Sequence, residues 1–209
     1  MQKPLGQYSL NLLSRLLAFG NDSIVVKSLS ALPKKDVGDF SYLLSGYERT
    51  YKGENGGLVF QAIAYGFACV VYDHLNLSAS SVRTGSSRQH RFGDIDAYAG
   101  TMLITSIEAK DIDLHEDNFE GEIGAFVSEV AATNVHGLVF CKTCSQAVYE
   151  KVQERAPTLG FVTEANMLEV ARVWDDRLHQ KAIEGVIHFL ANIEHNEPAT
   201  KRALAFLAI

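Results

Sequence analysis

Arg91-Phe92-Gly93-Asp94-Ile95-Asp96-Ala97-Tyr98-Ala99-Gly100-Thr101-Met102-Leu103-Ile104-Thr105-Ser106-Ile107-Glu108-Ala109-Lys110 is the stretch that decides the fold. It reads as two short strands joined by a turn. Phe92, Ile95 and Tyr98 lie in a β-prone run, Ala99-Gly100 punctuates it, and Met102-Leu103-Ile104 opens a second apolar run. Polar residues interrupt this frame at three places. Asp96 ends the first strand, and Glu108 and Lys110 close the second, two residues apart, so that both side chains leave the sheet on one face. Acids converging at the end of a hairpin repel and desolvate one another unless a cation sits between them. The pattern therefore predicts a metal site.

Gly93-Asp94-Ile95-Asp96, followed by an apolar strand ending Ile107-Glu108-Ala109-Lys110, resembles the catalytic core of the PD-(D/E)XK nuclease superfamily, to which many type II restriction endonucleases belong. The literal Pro-Asp dipeptide is absent, since Ile95 precedes Asp96 and Gly93 precedes Asp94, which leaves open which aspartate is the ligand. Asp96 is the choice by its position in the motif, and Asp94, two residues away on the same strand face, is the alternative. The resemblance implies catalytic roles for Asp96, Glu108 and Lys110, and Mg²⁺ held by Asp96, Glu108 and the backbone carbonyl of Ala109. It also implies a restriction endonuclease-like core, double-stranded DNA as substrate, and products with 5′-phosphate and 3′-hydroxyl ends. Paired cuts across a duplex suggest a homodimer, because one site per chain meets one strand.

Outward from the hairpin, the elements alternate. Glu54-Asn55-Gly56-Gly57 breaks the chain before a helix over Leu58–Leu75 with a wide apolar face of Phe60, Ile63, Phe67, Val70 and Val71. In the resembled family such a helix presents an acid to the metal; Glu54 and Gln61 are the polar residues best placed for that accessory role. After Lys110, Asp111–His115 reads as a polar exit from the strand. Asn118–Ala132 is an amphipathic helix, Val135–Cys141 a buried strand, Ser145–Arg155 a helix begun by Ser145, and Gly160–Val162 a short strand. Together these predict an α/β fold, a mixed central sheet with helices on its faces. A helical C-terminal region follows: Thr163 caps a helix through Trp174, Asp175–Ile193 is amphipathic, and Thr200–Ile209 closes the chain. Before the hairpin, Gln7–Phe19 has helical spacing, and Phe40–Tyr47 reads as a short helix.

A chain of 209 residues suits one domain. It divides into an N-terminal helical part (1–56), a catalytic core (57–163) and a C-terminal helical part (164–209). Hydrophobic content of 47% with 21% charged residues argues against bulk disorder. The formal net charge of −6 is the main compositional argument against a nuclease, offset because local charge decides nucleic-acid contact and because the site acids and their neighbours Asp111 and Asp113 are counted in the total. Ser78–Arg91 supplies a candidate for that local contact. Arg83, Ser86, Ser87, Arg88, Gln89, His90 and Arg91 are the donor types that hold phosphate oxygens and reach base edges.

The cysteines Cys69, Cys141 and Cys144 cannot form a disulfide framework and suit a reducing compartment. No N-terminal stretch has signal-peptide order, and the longest apolar run, Leu58–Tyr72, contains Gln61 and falls short of the roughly 20 residues of a membrane span. The expectation is a cytoplasmic protein with no membrane partner. Cys141-Lys142-Thr143-Cys144 is a lone CxxC lacking two further zinc ligands at matching spacing, which favours structural thiols over a redox or zinc function. A catalytically silent DNA-binding or interaction module on the same fold is the other reading of the hairpin.

Overall fold

The computed structural model describes residues 39–52, 54, 56–82, 92–133 and 135–207. The helix expected over Gln7–Phe19 and the segment Arg83–Arg91 lie outside them. Five strands form one sheet in the order β1 (Asn76–Ala79), β2 (Ile95–Ala99), β3 (Met102–Leu114), β4 (His136–Cys144) and β5 (Leu159–Thr163). Pairing is antiparallel from β1 to β3 and parallel from β3 to β5, so the sheet is mixed, as the alternation predicts. The β2–β3 hairpin closes through Gly100, whose φ of 63° is the left-handed conformation that a residue without Cβ adopts freely.

Each parallel step needs a crossover helix. Helix α3 (Phe119–Ala131) joins β3 to β4 and α4 (Gln146–Arg155) joins β4 to β5. Ser145 accepts from the Val148 amide at the start of α4, the cap that its hydroxyl predicts. Alternation along β4 then sorts the core. Leu138 and Phe140 join a cluster with α2 (Leu58–Val71), while Val139 and Cys141 join one with Phe126, Val127, Val148 and Val152 of α3 and α4. The sheet thus has helices on both faces.

The larger cluster also gathers α1 (Phe40–Gly46), α5 (Glu164–Ala171), α6 (Asp176–His188) and α7 (Glu197–Leu207). Thr163 and Asn166 form a reciprocal capping box that starts α5. Helices α2 and α6 cross on two glycines. A Cβ on Gly66 would lie 2.4 Å from the Ala182 carbonyl oxygen, and one on Gly185 would lie 2.8 Å from Gly66 Cα. Among the described residues, no helix is long and apolar enough to cross a membrane.

Several boundaries differ from the sequence reading, among them β4, which runs to Cys144 rather than Cys141, and α5, which ends at Ala171 rather than Trp174. Helix α2 stops at Val71 rather than Leu75, and Asn76–Ala79, where the sequence reading placed no strand, is the edge strand β1; its polar sequence gives little strand signal. Strand β3 continues past Lys110 to Leu114, because a bulge between Lys110 and Asp113 restores pairing with Thr143 and Cys144. The helix read as continuous from Asp175 to Ile193 ends at His188 and widens into a π turn over Phe189–Ile193. After that turn come the buried Glu194 and then His195 with φ 50°.

Candidate active site

The register of the β2–β3 ladder sets the site. Ile95 pairs with Ile107 and Asp96 with Ser106, and one step further the same register places Asp94 across from Glu108. Ile107 and Ala109 turn toward the α2 side, so alternation sends Ser106, Glu108 and Lys110 to the side covered by α3. Phe92 follows them: it packs edge-on against Phe126 of α3 with ring centroids 6.0 Å apart.

At the open end of this face, Asp94 Oδ2 accepts from the Ala109 amide at 2.9 Å, and Lys110 Nζ lies 3.2 Å from Glu108 Oε1. Burial, then the neighbouring charge of Asp94, pushes the Glu108 carboxyl up to about 7, while Lys110 pulls in the opposite direction and Glu129 on α3 adds a smaller push upward. Burial also raises Asp94. The Ala109 amide and Lys110 counter it, and Asp96 adds to it. Among the described residues, Lys110 is the cation that counters the two desolvated carboxyl groups, and Glu108 stays raised despite it. Such a pair attracts a small hard cation.

Asp96 is placed differently. Its side chain is fully buried and surrounded by donors: Ser106 Oγ at 2.6 Å and the Gly93 amide at 3.3 Å reach Oδ1, while the Phe92 amide and the Tyr98 hydroxyl, each at 3.3 Å, reach Oδ2. A cation reaching Asp96 would have to displace these donors. Of the two aspartates, Asp94 is the one that meets Glu108 and Lys110.

The other sequence candidates lie apart from these acids. Gln61 is on α2, on the opposite face of the sheet, where its Nε2 donates to the Ser80 carbonyl at 3.1 Å. It is linked to the site through the backbone, since the Ser80 amide donates to the Asp94 carbonyl. Glu54 is taken up by Arg202 of α7 through contacts of 3.3 and 2.5 Å, in a network where the Arg202 guanidinium stacks on Tyr47 and Tyr51. Arg83, Ser86, Ser87, Arg88, Gln89, His90 and Arg91 lie outside the described residues.

The CxxC does not open a helix; both cysteines lie in β4. Burial pushes the Cys141 thiol up to about 12 and raises Cys144 as well, the opposite of the shift a redox-active thiolate requires. Among the described residues, no group of three or more His, Cys, Asp or Glu side chains could hold a metal ion. The described residues thus do not build a structural zinc site with its four nitrogen or sulfur ligands. Two carboxylates do suit Mg²⁺, which keeps several waters and takes its remaining ligands from substrate phosphates.

Sequence reasoning missed Ser106 and the amide of Ala109. Ser106 carried a usable signal, since it stands two residues before Glu108 and so shares its face; the amide carried none, because a backbone donor has no residue type. Comparison with protein-family models and with curated proteins gave no match.

Proposed function

We propose that this chain is a Mg²⁺-dependent endodeoxyribonuclease that hydrolyses phosphodiester bonds of double-stranded DNA, of the sequence-specific restriction kind. The observation that carries the reading is the convergence of Asp94, Glu108 and Lys110 on one face of the sheet, beside its central strand β3, with Glu108 raised by burial and by Asp94. This is the same acid, acid, lysine order that the hairpin motif suggested, with Asp94 in place of Asp96 as the first acid.

Asp94 and Glu108 would hold the cation, with the Ala109 carbonyl as the further ligand that the resemblance implies. A bound Mg²⁺ neutralises charge on the phosphodiester and makes a water more acidic. Asp94 is pre-oriented by the Ala109 amide, so its carboxylate needs no search for its binding rotamer. Lys110, whose side chain is 28% exposed against 14% for Glu108, reaches outward from the acids. Its ammonium is the donor that orients the attacking water or steadies charge on a non-bridging phosphate oxygen.

The net charge of −6 assigns DNA contact to local cations. Arg83, Arg88 and Arg91 are the proposed source, since their sequence is rich in the donor types that hold phosphate oxygens. A homodimer would bring two such centres to the two strands.

The test is incubation of purified protein with unmethylated and methylated plasmid and phage DNA, with Mg²⁺ and with EDTA. Discrete fragments that require Mg²⁺ support the nuclease. Intact DNA in every mixture, with DNA binding retained, would instead make the chain a silent binding module.

A further inference from the structure

Asp96 is a buried carboxylate with four donors, on the strand that carries the site but beneath it. Both oxygens are used: Oδ1 takes Ser106 Oγ and the Gly93 amide, and Oδ2 takes the Phe92 amide and the Tyr98 hydroxyl. Two of those donors, the amides of Phe92 and Gly93, belong to the residues directly before Asp94. A third, Ser106, lies on β3 two residues before Glu108. One side chain therefore ties the entry turn of β2 to the strand that carries Glu108 and Lys110.

The turn is closely packed at Gly93. A Cβ on Gly93 would come within 2.5 Å of Ser106 Oγ and 2.8 Å of the Ile107 carbonyl oxygen. Backbone thus lies against backbone at Gly93, and the donors on Asp96 hold it there. Asp94, next in the chain, is delivered onto the Ala109 amide.

We propose that Asp96 is a positioning residue: through Ser106 and the amides of Phe92 and Gly93 it fixes the turn that presents Asp94 opposite Glu108. The cation-binding role of Asp94 rests on the proposed nuclease reading; the geometric role of Asp96 does not. Asparagine cannot replace the carboxylate. Its single oxygen can serve only one of the two donor pairs, and in either orientation its amide nitrogen would face a backbone N–H, of Gly93 or of Phe92, that can only donate.

The experiment follows amide hydrogen exchange residue by residue in the full chain, for the wild type, Asp96→Asn, the milder Ser106→Ala, and Asp94→Ala as reference. Mn²⁺ binding is counted on the same samples. Asp94→Ala frees the Ala109 amide, and the positioning role predicts that Asp96→Asn and Ser106→Ala also speed its exchange, by about tenfold. Amides of Leu138–Cys141 in β4 should keep wild-type protection, which a general loss of stability would not allow. Mn²⁺ should still bind Asp96→Asn, more weakly, and should be lost in Asp94→Ala. Unchanged Ala109 exchange in both Asp96→Asn and Ser106→Ala overturns the proposal. So does loss of Mn²⁺ from Asp96→Asn with retention in Asp94→Ala, which would make Asp96 the ligand. If the wild type binds no Mn²⁺, the metal reading fails while the Ala109 exchange still decides the role of Asp96.

Discussion

Asp94 and Ala109 meet across the β2–β3 hairpin, the Asp94 carboxylate accepting the Ala109 amide at 2.9 Å. Ala109 is flanked by Glu108 and Lys110, and its own methyl packs toward the core on the other face of the sheet. One contact therefore sets the first acid against the second acid and the lysine.

The raised Glu108 carboxyl makes metal-free stability depend on pH. Its folded value of about 7 lies above the ordinary 4.5, so between these values the unfolded chain releases a proton that the folded chain retains. The contribution of Glu108 to stability is fully present below about pH 4.5 and is lost as pH rises through 7, by on the order of 3 kcal/mol. Thermal melts in EDTA at pH 5, 6, 7 and 8 should show that decline, and Glu108→Gln should flatten it and melt higher than the wild type at pH 8. A Glu108→Gln profile parallel to the wild type would contradict the assignment.

Lys110→Met separates binding from chemistry. The methionine fills similar space without a donor, so DNA affinity in Ca²⁺ should stay within about threefold while cleavage in Mg²⁺ falls by about 10³-fold, in the range for loss of one proton-transfer or charge-stabilising group. Gel shift and single-turnover kinetics measure the two. Cleavage at the wild-type rate would remove Lys110 from the centre.

Gly93→Ala drives a methyl into Ser106 and the Ile107 backbone. The expected cost is about 1–3 kcal/mol, the range for an overpacked site, with cleavage reduced by at least tenfold because Asp94 shifts with the turn. Chemical denaturation and kinetics on one preparation check both effects. An unchanged midpoint would mean that the turn is more open than the structure has it.

Much of the architecture was legible because it depends on side-chain period. Continuous apolar runs at β4, 3.6-residue spacing in α2 and α3, and hydroxyl caps at Ser145 and Thr163 each specify an element locally. What was not legible depends on partners distant in the chain. Strand β1 exists because Ser78 pairs with Asp96 and Leu77 with Ala97, which no local pattern of Asn76–Ala79 announces. The choice between Asp94 and Asp96 likewise turns on Ser106 and on the Ala109 amide. Period alone puts both aspartates on one face, and burial then separates them. Gln61 and Glu54 were sensible accessory candidates by residue type, but Ser80 and Arg202 occupy their polar atoms.

The thiols of Cys141 and Cys144 should behave as packing groups. With both raised by burial, reaction with a thiol reagent at pH 8 should be slow in the folded protein and complete on denaturation. Rapid native labelling of Cys141 would reopen a redox role for the CxxC.

The most direct test of the central claim is single-turnover cleavage of DNA in Mg²⁺ by Asp94→Asn beside the wild type, with circular dichroism and melting to confirm the fold. The account predicts Mg²⁺-dependent cleavage by the wild type and none above the EDTA background for folded Asp94→Asn. Cleavage by Asp94→Asn at the wild-type rate would contradict it.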